Sequence, residues 1–384
     1  MIHITDKTTC CGCGGCVQIC PKHCISMQKD EEGFFYPKVS IAQCVDCGLC
    51  DSVCPIINTK PIQLPLTAVA YRHPDNEIHL KCASGGVATL LSEKVIGQKG
   101  VVFGAKFDDK WAVIHDFADT ADGIEGFRGS KYVQSDIGSC FRTAEQFLKR
   151  GKLVLFTGTP CQISGLKSFL RKNYDNLLTL DIVCHGVGSP MVWESYLKQY
   201  FSKYEILNIE HRNKKIGWER YSMKIELRKD KKNKIIQEDL ICNPYLRGFI
   251  HSIFLRPSCT NCVCKGFRSG SDFTCADFWG IKDLYPQLYD KNGVSLLTIN
   301  TQKGKMFFDN CKITSTIVDY KKAAQINTPI YSSVKKHTFK NAFYFLLKKG
   351  VNFRILVLFI QIINKLHRII VINPVNFVKR MLEV

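Results

Sequence analysis

The chain has 384 residues, is 45% hydrophobic and carries a formal net charge of +19, enough for two or three domains with real cores. Four Lys against six Asp and Glu set Met1–Ile56 at −2 and leave the remainder at +21, a body suited to an anionic coenzyme or an acidic electron carrier. A polar Met1–Thr9 and cysteines in cluster spacing exclude a secreted disulfide scaffold and point to a reducing cytosol, and the charge comes with no nucleic-acid motif.

Residues 1–57 are dominated by two copies of C-x2-C-x2-C-x3-C-P. The first copy is Cys10, Cys13, Cys16, Cys20 and Pro21; the second is Cys44, Cys47, Cys50, Cys54 and Pro55, thirty-four residues later. This is the ligand run of a bacterial two-cluster ferredoxin, in which three thiolates of each run serve one cluster and the fourth serves the other. Cluster I would take Cys10, Cys13, Cys16 and Cys54, and cluster II would take Cys44, Cys47, Cys50 and Cys20. Zinc would ask for paired CxxC ligands without the trailing proline. Cys11 and Cys24 have no partner in this pattern and read as packing residues, as do Cys82, Cys140, Cys242 and Cys311.

After a linker over Asn58–Leu66 with Pro61 and Pro65, strand-like and helix-like runs alternate. Ala83-Ser84-Gly85-Gly86 precedes a helical run, Val87–Ile96; Ser84 can cap it and the glycines would let a ring or phosphate approach the backbone. Val101–Phe107 and Leu153–Phe156 read as buried strands, Gly138–Arg150 and Pro160–Lys172 as helices, and Leu177–Val183 as a further strand. Thr157-Gly158-Thr159-Pro160 places a cap and an N1 proline at a helix start, where free amides could hold an anion and the dipole would favour a Cys161 thiolate. Cys184-His185-Gly186 follows the next strand. Ser222–Leu227 and Ile235–Leu240 flank a basic tip and read as a hairpin. Cys259 and Cys262 form a lone CxxC, so a metal there must recruit other ligands, with Cys161 and Cys184 the natural ones and Cys264 or Cys275 as substitutes. From Phe339 onward eight Lys and Arg stand against one acid, with apolar runs Ile355–Ile363 and Ile369–Ile372 too short to cross a bilayer. Residues 336–384 therefore read as a basic amphipathic helical tail, docked on the body or a partner, or else lying on the inner face of a membrane.

Ser84-Gly85-Gly86, Gly129-Ser130-Lys131-Tyr132-Val133-Gln134-Ser135, Gly158-Thr159-Pro160-Cys161-Gln162, Cys184-His185-Gly186 and Ser271-Asp272 to Asp277-Phe278-Trp279-Gly280 together resemble the coenzyme F420 hydrogenase/dehydrogenase beta-subunit family. The resemblance runs over about residues 67–300, behind a ferredoxin module that many members also carry; Ala276 stands where many relatives have glycine. It implies an α+β chain: a two-cluster ferredoxin-type module, a larger mixed α/β FAD-binding domain over residues 67–335, and the helical tail. It further implies flavin contacts at Ser84, Gly85, Gly86 and Lys131, more weakly at Thr157, Gly158 and Thr159. A third [4Fe-4S] cluster would be held by Cys161, Cys184, Cys259 and Cys262. His185 becomes a proton donor to the flavin or, more simply, the hydrogen bond that orients its turn.

The expected function is that of an iron–sulfur flavoprotein oxidoreductase, passing electrons between a hydride carrier at FAD, coenzyme F420 or another, and [4Fe-4S] clusters. Two alternatives stand beside it: a non-catalytic electron-transfer subunit of a larger redox complex and, as the resemblance implies through relatives in such pathways, a ferredoxin-dependent reductase in cell-envelope polysaccharide synthesis.

Overall fold

The computed structural model describes residues 1–367. Its strands, in chain order, are β1 (Ile25–Lys29), β2 (Phe35–Val39), β3 (Thr67–Tyr71), β4 (Val101–Phe107), β5 (Val113–Ala118), β6 (Val154–Gly158), β7 (Leu177–Ile182), β8 (Glu205–Asn213), β9 (Ser222–Lys229), β10 (Lys232–Asp239), β11 (Phe273–Asp277), β12 (Ser295–Ile299) and β13 (Thr316–Val318). Eight of them form one mixed sheet in the order β13-β3-β12-β11-β7-β6-β4-β5. Its centre, β11-β7-β6-β4, is parallel, and the flanking strands pair antiparallel.

The alternation of side chains along β6 sorts the cores. Val154 and Phe156 pack with the helices Cys140–Lys149 and Pro160–Leu170 on one face. Leu155 packs with Val87, Leu91 and Val95 of the helix Val87–Gly97 on the other. With both faces covered, the central strands carry consecutive apolar runs such as Val101–Phe103 and Val154–Phe156, as buried parallel strands do. A third core joins β8 and β9 of the separate three-stranded sheet to the helices Pro190–Phe201, Pro244–Ile250 and Lys340–Lys348. The expected hairpin is β9–β10, turning at Asp230 and Lys231, both with positive φ.

The two cysteine runs share one backbone solution. Gly14 and Gly48 hold φ of 71–72° and each N-caps a short helix, Gly15–Ile19 and Leu49–Ser52. A left-handed residue there turns each loop sharply back on itself, which glycine does without strain.

The helix Phe353–His367 docks through Phe353, Leu356, Val357 and Ile360, all buried in the third core. No helix among the described residues is long and apolar enough to cross a membrane. The apolar run Ile369–Ile372 and the rest of the expected tail to residue 384 lie outside the described residues.

Candidate functional site

The second cysteine run and the last cysteine of the first close on one another. Cys20, Cys44, Cys47 and Cys50 line a single small cavity, the four-thiol set that ligand exchange between the runs demands. The backbone N–H of Ile2 donates to Cys50 Sγ at 3.2 Å. In the other half, burial pushes the Cys16 thiol up to about 12, with the thiols of Cys10 and Cys54 alongside. Cys24 stands in the wall of the first cavity with its sulfur 3.4 Å from that of Cys20, so it packs beside a ligand position rather than in a remote core.

Thiols also converge in the body. Burial pushes the Cys184 thiol well up, followed by the influence of Cys259, Cys161 and Cys262 around it. A Cβ placed on Gly186 would lie 3.6 Å from Cys259 Sγ, which fixes how closely the Cys-His-Gly turn approaches the CxxC pair. Thr159 Oγ1 stands 3.2 Å from Cys161 Sγ, and Lys265 Nζ donates to Cys184 O at 2.6 Å. Cys264 adjoins Cys262 and lies within the field of Cys161 and Cys11. Cys275 lies apart, with Asp181 and Asp277 as its charged neighbours, so it is not an alternative member of this group. Among the described residues no three His, Cys, Asp or Glu side chains close on a single-ion site.

Cys11 is buried, as a packing residue is, and its place is the junction between the ferredoxin module and the body. The thiols of Cys13, in the ferredoxin module, and of Cys161, in the body, are its neighbours and perturb its titration. The Cys11 thiol beside it, then burial, pushes the Cys161 thiol up rather than down. One turn along the Cys161 helix, a Cβ on Gly165 would stand 2.8 Å from Cys13 Cβ and 2.9 Å from its Sγ. One helix thus touches Cys13 of the first cysteine run with its second turn and carries Cys161 in its first.

Arg256, three residues before Cys259, locks this junction. It is 1% exposed. Its guanidinium donates to Cys10 O and Phe35 O at 2.9 Å each and to Gln134 Oε1 at 3.0 Å, and it lies 4.2 Å from the Tyr36 ring centroid. Nη2 also reaches Cys10 Sγ at 3.7 Å.

Beyond the thiols, a cavity of about 460 Å³ opens at the carboxyl ends of the parallel strands, where ligands of such sheets bind. Ser84, Gly86, Lys131, Thr157, Gly158, Thr159, Cys184 and His185 all line it. Cys184 therefore belongs to both the cavity wall and the thiol group. Two expectations fail here. Gly85 does not line the cavity; a Cβ on it would meet Tyr71 O at 2.1 Å and Ser295 N at 2.4 Å, so its bareness serves the packing of β3 and β12. Ser84 does not cap the following helix: Gly86 is the N-cap, and Ser84 Oγ donates to Val294 O at 2.8 Å.

The junction at Thr159 forms as expected, with Pro160 at N1 and a capping box to Gln162. His115 extends it. Its Nε2–H donates to Thr157 O at 3.1 Å, its Nδ1 accepts from Ser135 Oγ, and Gln162 Nε2 donates to that same hydroxyl. Burial pushes His115 down to about 4, so this network holds a neutral imidazole. Burial likewise pushes Lys131 down to about 7; its ammonium donates to Gly126 O and Arg128 O. His185 Nε2 lies 3.1 Å from Ser252 Oγ, and burial lowers its pKa. Asp272 of the Ser-Asp motif is buried and accepts from the Thr179 amide and hydroxyl, so that motif ties the sheet together instead of facing the cavity.

Sequence reasoning missed Arg128, Arg212, Tyr221 and Phe249 in the cavity wall, and had Tyr132 and Trp279 only as parts of motifs. Arg212 pairs with Asp277 and lies 4.5 Å from the Tyr221 ring centroid. Its Nε and Nη2, with Arg128 Nε, are buried without a partner in the protein. Buried guanidinium donors of this kind call for an acceptor.

Residues 151–324 match the family model for the C terminus of the coenzyme F420 hydrogenase/dehydrogenase beta subunit, and residues 9–56 match the 4Fe-4S dicluster domain. An uncharacterized protein of Methanocaldococcus jannaschii is 28% identical over 208 residues, 45% of this chain and 56% of the relative. One of the subunits of the F(420)H(2) dehydrogenase of Methanosarcina mazei is 21% identical over 188 residues, 47% of this chain and 53% of the relative. The matches thus span about half the length of these curated relatives. An uncharacterized ferredoxin of M. jannaschii is 38% identical over 52 residues, 14% of this chain and 66% of that protein. Among solved structures, a chain of the F420-reducing [NiFe] hydrogenase complex from Methanosarcina barkeri aligns with a TM-score of 0.45 at 17% identity, covering 70% of this chain and 91% of that one.

Proposed function

We propose, for an iron–sulfur protein related to the beta subunit of coenzyme F420 hydrogenase/dehydrogenase and fronted by a dicluster ferredoxin domain, that it passes electrons between an organic hydride carrier and its own clusters. The observation that carries this reading is the continuity of the sites. The cavity shares Cys184 with the body thiols, Cys161 meets Cys11, and Cys13 rests against Gly165 of the Cys161 helix. A third [4Fe-4S] cluster held by Cys161, Cys184, Cys259 and Cys262 would then stand between the cavity and cluster I, with cluster II outermost.

The cavity suits FAD by its donors and walls. Arg128 and Arg212 suit a pyrophosphate, and Tyr132, Tyr221, Phe249 and Trp279 offer faces for flat rings. Bound FAD supplies the exchange between a two-electron hydride and single electrons. Lys131 gains its charge beside an anion, since an anionic neighbour raises the pKa that burial has lowered. His185, held by Ser252 and kept neutral by burial, can take or return a proton at the cavity wall. The basic body suits an anionic carrier such as coenzyme F420, or an acidic redox partner within a complex.

Anaerobic purification followed by iron, sulfide and flavin analysis tests this. About twelve irons and one FAD per chain are expected for three four-iron clusters and one flavin. Eight irons would remove the third cluster, and an absence of flavin would leave an electron-transfer protein in place of an enzyme. Cys259→Ser should lower iron by about four per chain; unchanged iron rejects that ligand.

A further inference from the structure

The helix Phe353–His367 is apolar on two opposite faces. Phe353, Leu356, Val357 and Ile360 form the docked stripe, each no more than 1% exposed. Ile355, Leu358, Phe359 and Ile362 repeat the same i, i+3, i+4, i+7 spacing on the far side and are 63%, 38%, 51% and 58% exposed. Phe345, on the preceding helix Lys340–Lys348, is 62% exposed. A helix that is apolar all round is normally covered all round, because a contiguous bare ridge of large side chains is costly in water.

The charge around the ridge selects what covers it. From Tyr320 to Leu382 the sequence holds twelve Lys and Arg and no Asp or Glu. Lys335, Lys336, Lys348 and Lys349 are exposed on and beside the hairpin. A second copy of this face would set these cations against themselves. The chain beyond residue 367 adds Arg368, Lys379 and Arg380 against the single acid Glu383, so it too brings the wrong sign. An anionic apolar surface satisfies both the ridge and its charges.

We propose that this helical hairpin seats the protein on the surface of an anionic lipid bilayer, with Ile355, Leu358, Phe359 and Ile362 entering the acyl boundary and the lysines meeting the headgroups. The hairpin lies in the interface and does not cross it, since no described helix is long enough. The inference stands apart from the flavin reading and would survive its failure.

The test is sedimentation of the full-length, cluster-loaded chain with vesicles of phosphatidylcholine alone or with roughly 30% phosphatidylglycerol, at low and high salt. Binding to the anionic vesicles is expected, weaker at high salt and at least about tenfold weaker on pure phosphatidylcholine. Ile355→Ser/Phe359→Ser/Ile362→Ser should weaken it at least about tenfold with iron content unchanged, because these side chains support no core contact. Should that variant lose iron, Lys348→Gln/Lys349→Gln decides, with a loss of the salt-sensitive part expected. Failure of the natural chain to bind anionic vesicles, or equal binding by the folded variants, overturns the proposal. So does a stable dimer that the triple variant dissociates, since the ridge would then belong to a second copy.

Discussion

Arg256 shows how much one side chain can hold. Its guanidinium is sunk between two parts of the chain and satisfies Cys10 O, Phe35 O and Gln134 Oε1 at once, a geometry for which a planar fork with five donors is suited and an ammonium is not. Arg256→Leu would strand those three acceptors in a buried place, at a cost of roughly 3–6 kcal/mol from hydrogen bonds to a charged group. The same cation stands 3.7 Å from Cys10 Sγ and would favour the more negative, reduced state of any cluster bound there. We expect Arg256→Leu to lower the reduction potential of cluster I by roughly tens of millivolts, cluster II keeping its own. Arg256→Lys should restore much of the potential but little of the stability. Redox titration followed by electron paramagnetic resonance, beside urea unfolding, checks both; a potential that ignores the charge would reduce Arg256 to a structural clasp. None of this was legible in the sequence, where Arg256 was one arginine before a CxxC pair. The same holds for Cys11, whose partner Cys161 lies 150 residues away.

The helix Pro160–Leu170 is the element on which the site turns. Its start was readable, because Thr159, Pro160 and Gln162 are local signals whose geometry depends on neighbours three residues away. Buried strands such as Val101–Phe107 were readable for a similar reason, being short apolar runs bounded by turns. Strand partners were not: β3 pairs with β12 through Val69 and Leu297, a register fixed by packing across the whole body. Gly85 illustrates the same limit, since a glycine needed for close strand contact looks in sequence like one needed for a ligand. Gly165 yields a prediction whose sign depends on fit. In a helix interior Gly→Ala ordinarily stabilises by about 1 kcal/mol. Here the new methyl would press on Cys13 within 3 Å, and Cys13 is buried in the loop of the first cysteine run. Gly165→Ala should therefore lower the thermal midpoint and slow electron passage into the ferredoxin clusters after rapid mixing with a reductant. A midpoint raised as for an ordinary helical glycine would show that the module is not seated against this helix.

At the scale of the whole molecule, the acidic ferredoxin module and the basic body invite an electrostatic account of their union, and the contacts argue otherwise. The ion pair between Glu32 and Lys340 (2.7 Å) crosses the junction with both side chains mostly covered. The rest is hydrogen bonding to uncharged acceptors and close packing. Gln18 Oε1 accepts from the Phe141 and Arg142 amides at 3.0 and 3.1 Å, and Arg142 Nε returns to Gln18 O at 2.6 Å. Gly33, at φ +81°, lies so close to Met191 that a Cβ would stand 2.3 Å from Met191 Cβ. Salt screens exposed charges over about 8–10 Å at moderate ionic strength but reaches buried hydrogen bonds and packed backbone far less. The linker is itself tied down, with Leu66 N donating to Ile299 O at 2.8 Å and Gln63 Nε2 to Asn300 O at 2.9 Å. A protease site placed between Asn58 and Lys60 should therefore leave the cut halves together on size-exclusion chromatography, at high salt as well as low. Separation at high salt alone would restore the charge asymmetry as the cause of docking. Arg256→Leu in the cut protein should weaken the association to the same degree at either salt concentration, because the bonds it removes are buried ones that salt reaches little. The union then depends on shape and buried donors, and the net charge of the body is left free to act on whatever approaches from outside.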